Sequence, residues 1–327
     1  MIERLDRLTL WITAAQWNLR SFALLRILYG IGLLLLLVPS AADRSFLWGE
    51  ASFWVDPEAK RRGFWTFDLF MPKDSGLFDV AFFGLIALVV LFTLGYRTRI
   101  VLPVMLVLLV SLQSNNPYLL NGGDTLMRIT LLFMLFANLS EHYSLDALRR
   151  SRRGSTPRRL VPAHLSNAAH NVGLVLCCAQ IVVVYLVSGV FKLTGTDWLD
   201  GTALFYALRL DAFAAYPAIN EMIWQSSLLI HLATWAALWA QTLLPLALLW
   251  RPTRALFLIT LMGMHAGIAL FLGLWPFSLA MIALDMLYVR DSTWESLLRW
   301  WRGTRAGSLL PELQRRGQGV FAALRRP

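Results

Sequence analysis

The sequence predicts an all-α protein, a polytopic bundle of about eight transmembrane helices preceded by an amphipathic amino-terminal helix. Of the 327 residues, 57% are hydrophobic and only 15% are charged, which is too little charge for a soluble domain of this size. Several apolar runs approach the length that crosses about 30 Å of hydrocarbon. These runs are continuous, whereas a transmembrane barrel has short segments of alternating polarity.

The same patterns divide the chain into three parts. Residues 1–20 mix charges with apolar residues at helical spacing, which predicts a short helix at the membrane interface. Residues 21–290 form the membrane domain, and 291–327 form a basic amphipathic tail. No cleavage site follows the first apolar run, so we expect that run to remain as a transmembrane helix. The expected spans are 21–39, 77–95, 100–114, 125–139, 169–193, 226–250, 254–273 and 276–290.

The distribution of charge predicts the orientation in the membrane. The net charge is +10, and it is concentrated in particular loops, which indicates topology and contact with anionic lipid. The 141–167 loop has six arginines against two acidic residues, whereas the 40–76 loop has six acidic against five basic residues. The positive-inside rule then places both termini in the cytoplasm and the loops 40–76, 114–124 and 194–225 outside. No nucleic-acid-binding motif accompanies the basic residues, so nucleic acid is not an expected partner.

Motifs of soluble enzymes are absent from the sequence. We find no nucleophile elbow, phosphate-binding loop, zinc signature or dinucleotide fingerprint. The two cysteines, Cys177 and Cys178, are adjacent within an apolar run. Neighbouring cysteines rarely form a disulfide, so we expect buried free thiols and no metal site.

Lys192 is the most informative polar residue, because it lies where a long apolar segment gives way to a polar one. One interpretation is that its side chain reaches to the headgroups, as lysines near helix ends do. The other is that its amine is partly desolvated within the bundle, where a neutral amine accepts a proton. The two interpretations predict opposite directions for the side chain.

Other polar residues in the apolar frame also have two interpretations. Asn115, Asn116 and Tyr118 form a turn, or they line a pocket and orient a ligand by hydrogen bonds. Asp124 and Arg128 are four residues apart and are expected to pair as a structural contact on one helix face.

Ionisable residues within the predicted spans are a second group. His265 lies deep in the seventh span, where it is either a hydrogen-bonded interior group or a functional residue. Arg26 lies in the first span and should face a polar interior or extend to the headgroups. The methionines and aromatic residues of the last two spans suit packing, and they would also suit a flat apolar cofactor such as a quinone.

Four stretches together resemble a known family. Residues 185–201 contain Gly-Val-Phe-Lys-Leu, followed by Asp-Trp-Leu-Asp-Gly, which includes Asp197 and Trp198. The segment resembles one in vitamin K-dependent γ-carboxylase and in the bacterial proteins of the HTTM (horizontally transferred transmembrane) domain family. The Asn115-Asn116 pair, the His142-Tyr143 stretch and the Leu-Leu-Arg-Ile-Leu-Tyr-Gly run around Arg26 are similar to further segments of that family.

The resemblance implies an integral membrane enzyme of the bacterial inner membrane. Lys192 would be the base that deprotonates a reduced quinone of the vitamin K or menaquinone type, without a metal. Oxygen would then react with the quinone, and carbon dioxide would add to the acceptor. Asn115, Asn116, Tyr118, His265 and Trp198 would bind the ligand, and Asp124, Arg128, His142, Asp197 and Arg26 would be structural.

Two departures from the carboxylase limit the implied activity. Pro117 follows the Asn-Asn pair where the carboxylase has a histidine. We also expect no counterpart of the carboxylase's large lumenal domain. The substrate is then a peptide or another small acceptor near the outer leaflet. The alternative is a non-enzymatic factor that resembles the SdpB-type proteins and helps to mature or assemble a secreted peptide with a small partner protein.

Overall fold

The computed structural model describes residues 2–49, 51–52, 75–153, 161–213 and 215–303, and within these ranges the chain forms α-helices and short 3₁₀ turns but no strand. The predicted all-α class is therefore confirmed. The helices, numbered here in chain order, are α1 Ile2–Thr13, α2 Leu19–Leu37, α3 Arg44–Trp48, α4 Ser75–Leu94, α5 Thr98–Asn115, α6 Gly122–Met134, α7 Leu145–Arg153, α8 Ala163–Lys192, α9 Thr196–Leu199, α10 Ala203–Leu208, α11 Pro217–Trp224, α12 Ser227–Ala247, α13 Arg251–Leu272, α14 Trp275–Asp285 and α15 Asp291–Gly303.

Six helices in the described part of the chain are long and apolar enough to cross a membrane. They correspond to six of the eight predicted spans. The candidate spans are Leu19–Ala41, Gly76–Leu94, Thr98–Asn115, Ala163–Lys192, Ser227–Ala247 and Arg251–Leu272.

The other two predicted spans, 125–139 and 276–290, are shorter than expected. Helix α6 has 13 residues, and α14 has 11 residues followed by a three-residue 3₁₀ turn. At a rise of 1.5 Å per residue, each covers only about 20 Å, which is less than the hydrocarbon thickness. Among the described residues, the structure therefore supports six full spans and two shorter helices within the bundle, and the predicted count of about eight transmembrane helices is not confirmed.

The start of α6 is fixed by the polar turn that precedes it. The side chain of Asn121 accepts hydrogen bonds from the backbone N–H groups of Gly123 and Asp124, and the Asp124 carboxylate accepts one from the N–H of Asn121. This reciprocal capping box satisfies donors that the first turn of a helix leaves free. The predicted loop at 114–124 is not a continuous helix, because α5 ends at Asn115 and a 3₁₀ turn follows before α6 begins at Gly122.

Helices α1 to α14 form one bundle in which α14 is central. Helix α14 packs against α2, α13, α6 and α8, and α12 packs against α8 and α13. Helix α2 also packs against α4, and α4 packs against α5. Buried aromatic and aliphatic side chains, including Phe22, Tyr29 and Phe82, form the hydrophobic core of the bundle. The space between α6, α8, α12 and α13 is not completely filled, and the cavity of the candidate functional site lies there.

The predicted terminal segments are described in part. Helix α1 covers Ile2–Thr13 within the expected interfacial segment. In the expected tail, α15 carries exposed Trp300 and Trp301 beside a basic last turn, and residues 304–327 lie outside the described residues.

Among the aromatic residues of the first long loop, 40–76, Trp48 is buried in the core, whereas Trp54 and Trp65 fall in a stretch that is not described.

The two cysteines are free thiols, as predicted. Cys177 is fully buried in the core, and Cys178 is partly buried beside it on α8. Both therefore contribute to packing.

Candidate functional site

A cavity of about 790 Å³ lies between α6, α8, α12, α13 and α14, and the short helices α9 and α10 also contribute to its wall. Its walls are mostly apolar, with polar groups at few positions, as is typical of sites for small organic molecules. The polar or ionisable side chains on its surface are Thr125, Gln180, Tyr185, Ser188, Lys192, Trp198, Thr234, Gln241 and His265.

Lys192 is the last residue of α8, and its amine is directed into this cavity. Its Nζ donates to the hydroxyl of Ser188 at 2.5 Å and to Oε1 of Gln241 on α12 at 2.9 Å. It also lies 4.9 Å from the centre of the Trp198 ring, within the range of a cation–π contact. The side chain is therefore directed into the bundle.

Trp198 reaches Lys192 because the chain turns back after α8. The N–H of Gly195 donates to the carbonyl of Lys192, and α9 starts at the next residue. The indole of Trp235 on α12 then donates to the carbonyl of Leu199 at 3.1 Å. These bonds attach α9 to α12 and keep the Trp198 ring over the amine.

Gly201, which follows α9, allows the chain to lie close to α12. Its φ is +81°, in the left-handed region that favours glycine. A β-carbon at this position would lie 2.8 Å from Cδ2 of His231 and 3.0 Å from Cε2 of Trp235. The segment therefore approaches α12 more closely than any other residue type would allow.

Gln241 is held on the other side of Lys192. Its Nε2 donates to Sδ of Met264 at 3.1 Å, so its oxygen is directed to the amine. The crossing of α8 and α12 is tight at this level, because a β-carbon on Gly189 would lie 2.7 Å from the backbone nitrogen of Thr242. Glycine at 189 thus brings the two helices close enough for the Lys192–Gln241 hydrogen bond.

His265 on α13 contributes a second polar position in the cavity wall. It is 2% exposed, and neither ring nitrogen has a hydrogen-bond partner among the described residues. Its ring packs against Tyr185 at 5.9 Å and Phe277 at 5.4 Å between centroids. Buried polar atoms are usually paired, so these two nitrogens indicate a place where a ligand or water binds.

The Asn-Asn-Pro-Tyr turn, residues 115–118, lies outside the cavity. The amide nitrogens of Asn115 and Asn116 donate to the carbonyls of Trp48 and Leu47, and the Asn116 oxygen accepts the N–H of Tyr118. The Tyr118 side chain is 78% exposed. None of the three residues is part of the cavity wall. Their contacts attach the end of α5 to α3, so the expected pocket at these residues is not formed with Lys192.

The residues expected to be structural make other contacts. Arg128 donates to the hydroxyl of Thr125 at 3.4 Å, and within the described ranges it forms no ion pair with Asp124, whose carboxylate caps α6. The expected Asp124–Arg128 pair is therefore replaced by the capping box. Arg26 is fully buried and donates to the carbonyl of Tyr143 at 2.5 Å.

His142 and Asp197 are also outside the cavity wall. The ring of His142 packs near that of Tyr143, with 6.1 Å between centroids. Asp197 is exposed, and its backbone carbonyl accepts the N–H of Thr202.

Ser188 and Tyr185 belong to the site but were not predicted. They precede Lys192 by four and seven residues on α8, and side chains at these spacings share one helix face. That spacing is the signal that would have identified them. No group of three or more His, Cys, Asp or Glu side chains suited to a metal ion occurs among the residues that were placed.

Comparison with known proteins decides the family. The chain matches the HTTM domain over residues 16–294. It belongs to the HTTM domain family. The chain is also 28% identical to the uncharacterized protein YitO of Bacillus subtilis (strain 168) over 217 residues. The aligned region covers 64% of this chain and 66% of YitO. No solved structure matches it.

The HTTM family match and the long apolar helices together identify this HTTM protein as an integral membrane protein. It belongs to a family that is related to vitamin K-dependent γ-carboxylase and to SdpB-type proteins. The resemblance noted for residues 185–201 is therefore confirmed at the level of the family.

Proposed function

We propose that this HTTM protein is a membrane enzyme that uses a reduced lipid quinone, with Lys192 as the base, to modify a peptide or small acceptor near the outer leaflet. The observation that carries the proposal is the position of the Lys192 amine inside an apolar cavity. Its hydrogen-bond partners are the neutral groups of Ser188 and Gln241. Within the described ranges no carboxylate pairs with it.

The residues of the cavity fit a quinone. A volume of about 790 Å³ accommodates a fused aromatic ring system and part of a prenyl chain. The apolar walls suit the flat ring, and the free nitrogens of His265 suit an oxygen on that ring. Lys192 and Trp198 would hold the hydroxyl end, and His265 would provide the second polar contact.

When bound, a reduced quinone supplies an acidic hydroxyl and the reducing electrons for chemistry with oxygen. This chain supplies the proton acceptor, because Nζ of Lys192 takes the hydroxyl proton when it is neutral. Burial beside apolar groups favours the neutral amine before transfer. Oε1 of Gln241 and the face of Trp198 then stabilise the ammonium ion, and the apolar walls exclude water from the charged pair.

The first test is identification of the bound lipid. The full chain would be purified in mild detergent, its co-purified lipids extracted, and quinones identified by chromatography with mass spectrometry. Binding of menadiol, added without oxygen, would be followed by quenching of tryptophan fluorescence. We expect a co-purified quinone and saturable binding of menadiol.

Variants at position 192 test whether ligand binding and activity depend on the lysine. Lys192→Ala should weaken menadiol binding and abolish the biological activity, and Lys192→Arg should bind menadiol but remain inactive, because a guanidinium does not accept a proton. Phe191→Ala is the matched control, since Phe191 is 78% exposed and is not part of the cavity wall. A folded Lys192→Ala protein with full biological activity would disprove the role of the base and favour a non-enzymatic maturation factor.

A further inference from the structure

A second cavity, of about 370 Å³, lies beside the first turns of α8, the helix whose last residue is Lys192. The start of α5, the end of α6 with the residues that follow it, and the link between α1 and α2 complete its wall. Among the described residues, none belongs to both cavities, so this one is separate from the candidate functional site. The hydrogen-bonding side chains in its wall are those of Gln16, Thr98, Arg99, Asn138 and Ser166.

The polar and apolar parts of this wall follow one another along the chain. On α5, Arg99 lies in the first turn, and Leu102 and Pro103 lie one turn deeper in the bundle. After α6 the order is reversed, because Phe136 precedes Asn138 as the chain leaves the bundle. The cavity is thus polar at the end of the bundle and apolar toward its middle, which is the arrangement of a phospholipid headgroup and its acyl chains.

Arg99 gives the wall a positive charge. It is exposed, and in the parts of the chain that the structure describes no acidic residue forms an ion pair with it. The acidic residue next to the wall is Glu141, whose Oε2 lies 3.4 Å from Nδ2 of Asn138 and 3.3 Å from Nη2 of Arg150. Since Arg150 neutralises Glu141, the ligand that complements this cavity carries a negative charge.

The polar side chains of the wall are held in place by one another. Nδ2 of Asn138 donates to Oε1 of Gln16 at 2.9 Å, and Nε2 of Gln16 donates to Oγ of Ser166 at 3.3 Å. The backbone N–H of Asn138 donates to Nδ1 of His170 on α8 at 2.9 Å. The Ser166 oxygen accepts, and no described residue accepts its hydrogen, so the hydroxyl can donate to a ligand oxygen.

We propose that this cavity binds an anionic phospholipid, with the phosphate at Arg99 and Ser166 and the acyl chains along Leu102 and Phe136. The distribution of charge predicts that this end of the bundle faces the cytoplasm, and basic pockets between transmembrane helices on that side suit anionic headgroups. A free phosphate would contact Arg99 but leave the apolar part of the wall uncovered. The bound lipid joins α5, α6 and α8 at the end of the bundle opposite Lys192.

Native mass spectrometry of the full chain tests the choice of headgroup. After detergent exchange has removed co-purified lipid, dioleoylphosphatidylglycerol or dioleoylphosphatidylcholine is added, and we expect the phosphatidylglycerol to bind more tightly. Arg99→Gln should weaken its binding roughly fivefold, because one cationic contact is lost. Arg97→Gln is the matched control, since Arg97 is exposed and lies outside the wall. Equal binding of the two lipids, or equal losses in the two variants, would indicate a diffuse basic surface and overturn the site.

Variants of Ser166 test whether the lipid enters the cavity. Ser166→Leu fills the polar part of the cavity, whereas Ser166→Ala removes the hydroxyl and keeps the space. We expect Ser166→Leu to lose phosphatidylglycerol binding and Ser166→Ala to bind it roughly fivefold more weakly than wild type. A folded Ser166→Leu protein that binds the lipid as wild type does would show that the cavity is not the site. Thermal unfolding identifies folded variants, and if Ser166→Leu does not fold, the comparison of Arg99→Gln with Arg97→Gln decides.

Glycerol 3-phosphate distinguishes a lipid from a soluble phosphate. It has the charge of the headgroup but no acyl chains, so we expect it to bind roughly a hundredfold more weakly than phosphatidylglycerol. Equal affinity of the two would overturn the lipid as occupant and make this a site for soluble phosphates. None of these measurements depends on a quinone, so their failure would leave the proposed function of Lys192 untouched.

Discussion

Gln241 is oriented by two contacts, because its Oε1 lies 2.9 Å from Nζ of Lys192 and its Nε2 lies 3.1 Å from Sδ of Met264. The thioether accepts the amide hydrogen, so the carbonyl oxygen remains for the lysine. The side chain links α8 to α13 through α12. One hydrogen-bond partner of Lys192 therefore lies 49 positions away in the sequence.

Substitution of Gln241 should change the reactivity of the Lys192 amine. Gln241→Glu places a carboxylate beside the amine and favours the charged form, so labelling of Lys192 by an amine-acylating reagent should slow by roughly tenfold. Gln241→Leu removes the acceptor without adding a charge and should not slow the labelling. Mass spectrometry of the Lys192 peptide measures both rates, and equal rates in Gln241→Glu and wild type would contradict this account.

Asn171 should determine how firmly the amino-terminal segment is attached. Its Nδ2 donates to the carbonyls of Trp11, Ile12 and Ala15, and its Oδ1 accepts the N–H of Trp17. Asn171→Ala leaves these groups without their partner, at a cost of about 1–3 kcal/mol. Hydrogen exchange in residues 11–17 should become faster, with menadiol binding unchanged. Asn167→Ala removes one hydrogen bond, to Thr13, and should have a smaller effect.

The sequence predicted the membrane bundle and singled out Lys192 as a candidate, because both depend on local patterns. Apolar runs of sufficient length identify spans, and a lysine at the end of such a run is conspicuous. Helix α6 differs from the predicted span 125–139 at both ends: it begins earlier, at Gly122, because Asn121 caps it through hydrogen bonds that hydropathy does not predict, and it ends earlier, at Met134. Asn115 and Asn116 do not line the cavity of Lys192, and sequence patterns do not predict their contacts with carbonyls of α3, which lie 67 and 69 positions away.

Gly189→Ala should separate α8 from α12 at the level of the site. The added methyl group would lie 2.5 Å from Oγ1 and 2.7 Å from the backbone nitrogen of Thr242, which follows Gln241. Overpacking of this kind costs about 1–3 kcal/mol, so the melting temperature should fall and menadiol binding should weaken. Gly263→Ala is the control, because nothing lies within 4 Å of the added atom. Similar menadiol binding in the two variants would show that the helix crossing does not position the lysine partner.

Gly201→Ala should displace Trp198 from the amine of Lys192. The substitution forces alanine into a φ of +81° and places its β-carbon 2.8 Å from His231. The left-handed conformation alone costs about 1–2 kcal/mol, and relief of the clash requires α9 to move from α12. Gly273→Ala separates the two effects, since Gly273 has a φ of +70° but its added atom would have ordinary contact with Ala215 at 3.4 Å. We expect both variants to lose stability in thermal unfolding, but only Gly201→Ala to lose menadiol binding, because only that substitution moves the ring that covers Lys192.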